Sequence, residues 1–530
     1  MRLSRPLRMQ MYLASHSRVA NRVLGLLGTR RIERIGQRAA LRSVRKAYAT
    51  VPYYRTLLTS QGMTDEKIKR LSWEEFQQLP VSNKKRLAGV ADKDLLDKTI
   101  VLGQGDAAIG RSSGTTNAPV FWPLGWSEFY IGRASLQNIF TYLGTPEGTP
   151  TAAVLLMAIE GGDLSGNTPY RTFFSLKEEY NWNMEVIATG EDAKTAHTWF
   201  RWLADQGFTS LAVASFPGTF ERFLAYDAAL PKEEQIPWEK FTKKHIVLGG
   251  QLVARQIRDR YYQQMQIDPT SLFSETVIYV SSDTGQLTGR STPFTLWLER
   301  LAASTPGLLV SLGLEEEHET KPILEFLPPM SMQLEWDHPE GLLITQWKHR
   351  PLIRYAIGDL AWSLPSQKLQ TALTKLVPNW RKLFYAAGGH PLDIPKVTRV
   401  GIILGRSDDV CIVNGANVSV GTIWQALTDA GIADKINHFK HGSDPARPNI
   451  YGLTLELKET ATPEECQELT NQWSDKVFQS LIAVPGSMDL AAAHRTNPVT
   501  FYFNVRSRTD AEFVPSLRGK TNYLLKNIPE

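Results

Sequence analysis

Between about residues 100 and 360 the sequence repeats one pattern: a short apolar run, a stop at Gly, Ser or Pro, then a helix-like stretch. TAAVLLMAI (151–159), TSLAVASF (209–216), KKHIVLGG (243–250) and SETVIYVSS (274–282) are such runs, and Thr219–Leu230 is one of the intervening stretches. This alternation predicts α/β layering with buried strands. Upstream, SVRKAYATVPYYRTLLTSQG mixes helical spacing with a break at Pro52, and residues 64–88 read as helix in two pieces split at Leu79-Pro80. Downstream, VGIILGRSDDVCIVNGANVSV reads as two short strands around a polar turn. A helix at about 421–431, a strand at 450–457, a helix at 463–480 and a strand at 499–505 follow. Pro463 and the acidic residues after it favour a helix start there. A module of about 125 residues in this order is large enough to fold separately, and its boundary falls at the polar turn Gly405–Asp409. The predicted organisation is a basic helical segment over 1–46, a large multi-layer α/β region over 47–404, and a small α+β domain over 405–530.

Composition narrows the class. Of 530 residues, 42% are hydrophobic and 21% charged, which supplies sizeable cores and excludes a disordered chain. Two cysteines, Cys411 and Cys466, are too few for a disulfide framework and point to a reducing, cytoplasmic compartment. Mean hydropathy is −0.24, and no apolar run approaches the roughly 18 residues of a membrane span. The net charge of +5 is unevenly placed: residues 1–46 hold twelve Arg or Lys and one acid, Glu33, so the segment carries +11 and the remainder −6. That asymmetry argues against a nucleic-acid binder, which would be basic over its folded body. It leaves these readings for the opening: a solvated basic helix, a surface anchor or peripheral docking helix, or a transit-like segment.

Four segments carry chemistry. RSSGTTNAP (111–119) sets Ser112, Ser113, Gly114, Thr115 and Thr116 in succession. Such residues bury little in a core, but their hydroxyls and backbone amides suit phosphate oxygens. No lysine follows the glycine in the P-loop register. The others are YVSSDTG (279–285), PLIRYAIGDLAW (351–362) and GRSDDVCIVNGANVSV (405–420). In this order the four motifs resemble those of the adenylate-forming superfamily of acyl-CoA synthetases. The opening segments AYATVPYYRTLL (47–58) and LSWEEFQQLPVSNKKRL (71–87) are similar to the phenylacetate–CoA ligase family, and the resemblance spans roughly residues 40–530.

The resemblance implies ATP, Mg2+ and coenzyme A as cofactors and co-substrates, and a small carboxylic acid as substrate. It places Ser112, Ser113, Gly114, Thr115 and Thr116 around the β- and γ-phosphates, Tyr279 against adenine and Ser282 on the α-phosphate. Asp283 would hold Mg2+, where the family has glutamate, and an aspartate keeps the hard oxygen ligand. Asn117-Ala118 stand where the family has Gly-Lys, removing a positive charge near the leaving pyrophosphate. Asp359 would accept both ribose hydroxyls, Arg406 would contact ribose or phosphate, and Asp408 would be the hinge of a mobile C-terminal domain. Arg354 and Tyr355 have a structural alternative, shaping the turn that presents Asp359. Lys520, after Gly519, matches the catalytic lysine, with Lys526 as its rival. Phe216 and Pro217, and Gly249 and Gly250 of LGGQL, match segments lining the acyl pocket, with Gln251 where a glutamate is common. His245, His349 and His390 show no metal-ligand spacing. The resulting expectation is carboxylate adenylation followed by transfer to coenzyme A, with an aryl or arylacetic acid favoured. The alternatives are transfer to an amine, hydroxyl or carrier-protein thiol, and a non-catalytic nucleotide-binding scaffold.

Overall fold

The computed structural model describes residues 17–87, 89–99, 106–111, 121–125, 136–157, 164–250, 255–281, 283–285, 287–314, 321–326, 332–336, 338–406, 411–413, 416–418, 420–444, 447–484, 490–491, 494–495 and 498–508. The chain divides into two compact units. One draws on Met1–Leu308, Thr320–Ile357 and Ala361–Ile403, the other on Leu309–Glu319, Gly358–Leu360 and Leu404–Glu530.

The first described elements of this unit are helix α1 (Ser17–Leu27) and helix α2 (Thr29–Thr50), separated by Gly28 at φ 76°. α2 runs through residue 46 without a break. Ile32, Gly36, Ala40, Ser43, Val44, Ala47 and Tyr48 lie buried along it at the three- and four-residue steps of one helical face. α1 is held by Arg18, which donates through Nε and Nη2 to the Asp393 carboxylate at 2.8 and 3.0 Å, and by Asn21, which donates to the Leu392 carbonyl. The basic opening is therefore partly core. Residues 64–88 hold three short helices, Asp65–Arg70, Trp73–Phe76 and Lys84–Leu87, where the sequence suggested two.

Strands are numbered along the chain: β1 (Ser82–Asn83), β2 (Asp106–Arg111), β3 (Phe121–Gly125), β4 (Thr151–Leu156), β5 (Met184–Ala188), β6 (Ser210–Ser215), β7 (Lys243–Leu248), β8 (Glu275–Val280), β9 (Leu287–Arg290), β10 (Leu324–Phe326), β11 (Met332–Glu335), β12 (Leu343–Gln346), β13 (Leu352–Ala356), β14 (Asp359–Pro365) and β15 (Arg399–Arg406). They form a nine-stranded sheet in the order β14-β15-β10-β9-β8-β7-β6-β4-β5, a four-stranded sheet β1-β13-β12-β11, and a hairpin β2-β3. β4 to β8 are parallel neighbours, and β9, β10 and β15 continue antiparallel.

The apolar runs explain the parallel half. Ala152, Val154, Leu156, Leu211, Val213, Ile246 and Leu248 enter one core, with Phe200, Phe220, Phe223 and Tyr261 from the helices on that side. Their sequence neighbours Ala153, Leu155, Ala212, Ala214 and Val247 enter a second core with Phe140, Phe173 and Leu176. Side chains alternate across a strand, so a strand covered on both faces has no polar position to spare.

One polar exception is His245 on β7, fully buried between the Phe273 carbonyl, 2.8 Å from Nδ1, and the Thr276 hydroxyl, 2.9 Å from Nε2. Burial drives its pKa down to about 4 against a partly opposing bond to Phe273. The folded state keeps His245 neutral, while the unfolded chain takes up a proton near pH 6.5. Stability is therefore expected to fall as pH drops from about 6.5 to about 4, by up to about 3 kcal/mol. Urea unfolding of His245→Gln against the native chain checks this: the native chain should lose more stability between pH 7 and pH 4.5.

The second unit contains β16 (Cys411–Val413) paired with β17 (Ala416–Val418). It also holds a sheet of β18 (Ile436–Asp444), β19 (Arg447–Leu457) and β20 (Thr500–Arg506), packed on helices Val420–Asp429 and Pro463–Ala483. β18 is the strand the sequence reading missed. The longer helix starts on a reciprocal cap: Thr462 Oγ1 accepts from the Glu465 amide at 3.2 Å, and Glu465 Oε2 from the Thr462 amide at 2.8 Å. Trp473, Val477 and Leu481 face the sheet.

Candidate active site

The parallel register brings the ends of three strands to one edge. Ser215 pairs with Leu248 and Leu248 with Val277, so Phe216-Pro217 and Gly249-Gly250 follow the carboxyl ends of β6 and β7, while Tyr279 lies near the carboxyl end of β8 and Asp283 just beyond it. In open α/β sheets this edge is where ligands bind, because strands end there in loops while helices return to the other edge.

Each segment has a local reason for its geometry. Pro217 opens helix Pro217–Ala229, where its missing amide costs nothing, and Phe216 sits just before it in extended backbone. Gly250 has φ +81°, and a Cβ there would lie 2.6 Å from the Phe216 ring; a Cβ on Gly249 would lie 2.8 Å from Ile278 Cγ1. The two glycines thus let the loop after β7 pass between its neighbours, and the Phe216 ring rests against the Gly250 backbone. Tyr279 is 8% exposed and packs edge-on with Phe326, ring centroids 6.3 Å apart.

Beyond β8 the chain turns tightly. The amides of Thr284 and Gly285 donate to the Ser281 carbonyl at 3.2 and 3.1 Å, and the Thr284 hydroxyl donates to the same oxygen at 2.9 Å. The turn presents Asp283, whose Oδ2 accepts from the Tyr355 hydroxyl of β13 at 2.7 Å. The buried Lys348 ammonium donates to the Asp283 carbonyl oxygen. Arg350, buried nearby, donates to Asp92 Oδ1 at 3.1 Å. Burial first, and Asp283 second, push the Tyr355 hydroxyl well above the ordinary tyrosine value, so it remains a donor. Burial lowers the Arg350 guanidinium from its ordinary value, against the pull of Asp92.

Tyr355 and Lys348, which bind this loop, and Arg350 beside them were not singled out from the sequence for these roles. The signal was the cation pair in WKHRP, immediately before β13. The neighbouring Arg354 turns to other work. At φ +42° it donates from Nε to both Glu335 oxygens, at 3.0 and 3.1 Å, and from Nη1 to the Leu79 carbonyl, tying the sheet to the N-terminal helices. A cavity of about 370 Å3 lined by Trp73, Glu335, Trp336, His338 and Arg354 contains none of the residues assigned chemistry, and we place the site at the strand ends instead.

Asp359 opens β14 after Gly358, which has φ +81°, and is 7% exposed. Arg406 ends β15. Ser112, Ser113, Gly114, Thr115 and Thr116 fall outside the described residues, between β2 and β3, whose facing ends Arg111 and Phe121 pair. Ser282, Asp408 and Lys520, with Asn117, Ala118, Gln251 and Lys526, also lie outside them.

Could this edge hold Mg2+? The Tyr355 bond occupies one Asp283 oxygen, and Oδ1 has no hydrogen-bond partner among the described residues. No group of three or more His, Cys, Asp or Glu suited to a metal occurs among those residues. A single free carboxylate oxygen fits Mg2+, which is commonly held by one or two carboxylates together with substrate phosphates.

No family model matches the sequence, and no curated protein matches it. Among solved structures, the chain shares its fold with GH3.15, an acyl acid amido synthetase, at 10% identity over 92% of this chain and 89% of that one, TM-score 0.50. A 2-hydroxyisobutyryl-CoA ligase, solved with 2-HIB-AMP and CoA in its thioesterification state, aligns at 13% identity over 94% and 91% of the two chains, TM-score 0.48. Fatty acyl-adenylate ligases from E. coli and L. pneumophila align at 12% identity over 85% and 72%, TM-score 0.46. The likeness to the synthetase establishes an α/β fold common to both chains. No described helix is long and apolar enough to cross a membrane.

Proposed function

We propose that this protein is an adenylate-forming carboxylate ligase: it activates a small carboxylic acid with ATP and passes the acyl group to coenzyme A. The observation that carries the reading is the convergence of Phe216, Gly250, Tyr279 and Asp283 on the carboxyl ends of adjacent parallel strands. In the first half-reaction a carboxylate oxygen attacks the α-phosphorus of ATP. The α–β anhydride bond breaks, pyrophosphate leaves, and acyl-AMP remains. In the second, the thiolate attacks the acyl carbonyl and AMP departs.

Each residue has a part that its chemistry suits. Ser112, Ser113, Gly114, Thr115 and Thr116 donate to the β- and γ-phosphates, and Ser282 to the α-phosphate. Tyr279 borders adenine, Asp359 accepts from the ribose hydroxyls, and Arg406 contacts ribose or phosphate. Asp283, oriented by Tyr355, is the carboxylate that would hold Mg2+, and the ion supplies charge neutralisation at the phosphates when bound. Lys520 places its ammonium between the carboxylate and the α-phosphate, where negative charge grows in the transition state. Phe216, Pro217, Gly249 and Gly250 border the acyl group, and the aromatic wall suits an aryl or arylacetic acid. Asp408 is the hinge on which a domain beginning at residue 405 turns between half-reactions.

A second reading, transfer to an amine, is supported by the fold shared with an acyl acid amido synthetase. One experiment tests both. Pyrophosphate release is measured with a panel of aryl, arylacetic and aliphatic acids, and the product is then identified by mass with coenzyme A or amines as acceptors. Carboxylate-dependent pyrophosphate release is expected. If no acid on the panel elicits it while ATP still binds, the protein is a nucleotide-binding scaffold.

A further inference from the structure

The burial pattern of α2 splits its charge from its core. Its apolar stripe is spent against the rest of the first unit, whereas Arg30, Arg34, Arg38 and Arg42 face solvent. Steps of four residues advance roughly 6 Å along the axis and keep these side chains on one slowly turning flank. None of the four has a carboxylate partner among the described residues. Arg42 Nε does donate to the Arg38 carbonyl at 3.3 Å, which leaves its charge unopposed. Arg22, Arg31 and the exposed Lys396, whose stem lies against Gly25, add to the same sign, and Glu33 is the one acid on either helix. Lys46 is different: it is engaged with Asp97 at 3.5 Å and with the Trp347 ring at 4.1 Å.

Beside this flank, at the corner between α1 and α2, stands Leu26. It is 84% exposed, and Val23, three residues earlier on the same face, is also exposed. A cationic stripe alone would suit any acidic surface. A cationic stripe flanking a projecting leucine suits a lipid interface, where charge meets the headgroups and the leucine enters the acyl boundary.

We infer that the α1–α2 corner docks the protein on an anionic membrane surface, through Arg30, Arg34, Arg38 and Arg42 with Leu26 as the inserting side chain. The attachment is peripheral and salt-sensitive, because α2 has no apolar face left to bury in the bilayer. It does not rest on the catalytic reading.

Vesicle co-sedimentation of the full chain tests it. Vesicles of phosphatidylcholine alone are compared with vesicles that also carry phosphatidylserine, the anionic lipid whose surface potential attracts polybasic segments. Binding to the anionic vesicles at low salt is expected, with release at about 0.5 M salt and little binding to neutral vesicles. Each arginine neutralised should weaken binding about fivefold, so the quadruple change R30Q/R34Q/R38Q/R42Q should weaken it by two to three orders of magnitude. L26S should weaken binding about tenfold without altering its salt dependence. Should the quadruple variant fold poorly, R30Q/R34Q alone should still show a loss of about 25-fold. Equal binding to neutral vesicles, undiminished binding by the arginine variants, or failure of the native chain to bind anionic vesicles at low salt would each overturn the inference. The last outcome would favour an acidic protein partner.

Discussion

Asp283→Ala is expected to lose at least a hundredfold in carboxylate-dependent pyrophosphate release while remaining folded. Its carboxylate is held by a turn closed on Ser281 and aimed by the Tyr355 hydroxyl, so its removal leaves no described carboxylate at the end of β8. Tyr355→Phe should cost less. A hydrogen bond to a charged group contributes about 1.5–3 kcal/mol, a loss of tenfold to about a hundredfold if orientation is all that Tyr355 provides. The two variants should also differ in kind. Asp283→Ala should raise the Mg2+ concentration needed for half-maximal rate, whereas Tyr355→Phe should mainly lower kcat, and Asp283→Glu, which keeps the hard oxygen, should recover activity. Titrating Mg2+ in a pyrophosphate-release assay reads all three. A native rate from Asp283→Ala would place this carboxylate outside the reaction.

Arg258→Met should be strongly destabilising, by about 3–5 kcal/mol. Arg258, 1% exposed, binds Glu275 through Nη1 and Glu299 through Nη2, and Glu299 Oε1 also accepts from the Ile323 amide at 2.7 Å. Burial opposes its charge, and the two carboxylates more than offset that, holding the guanidinium above its ordinary value. Burial likewise raises Glu299, with Arg258 pulling it back. Removing the cation strands two carboxylates in a dry core. Thermal and urea unfolding should show the loss, and the triple variant Arg258→Met, Glu275→Gln, Glu299→Gln should regain most of it. If the triple variant is no better than the single one, shape rather than charge accounts for the loss.

The parallel half of the large sheet was legible because its strands have no solvent face. Four apolar runs in the sequence correspond to β4, β6, β7 and β8 within a few residues. β18 escaped because INHFKHGSD carries polar residues along one side of a sheet edge, and the short helices over 64–88 escaped because Pro80 marked only one of their two breaks. Motif order singled out Phe216, Gly249, Gly250, Tyr279 and Asp283, which lie tens of residues apart along the chain and are brought to one edge only by strand register.

By itself the sequence determined the α/β class and the excess of arginine at the start. Local composition and periodicity carry such information, since each depends on residues a turn or a strand apart. Tertiary structure alone decided that Tyr355 orients Asp283 across 72 residues, that Arg258 is buried with two glutamates, and that one flank of α2 is core while the other keeps its arginines in water. Those outcomes depend on which distant surfaces pack together. The free energy of burying or pairing a charge is set by that packing, and it has no signature in the spacing of residues along the chain.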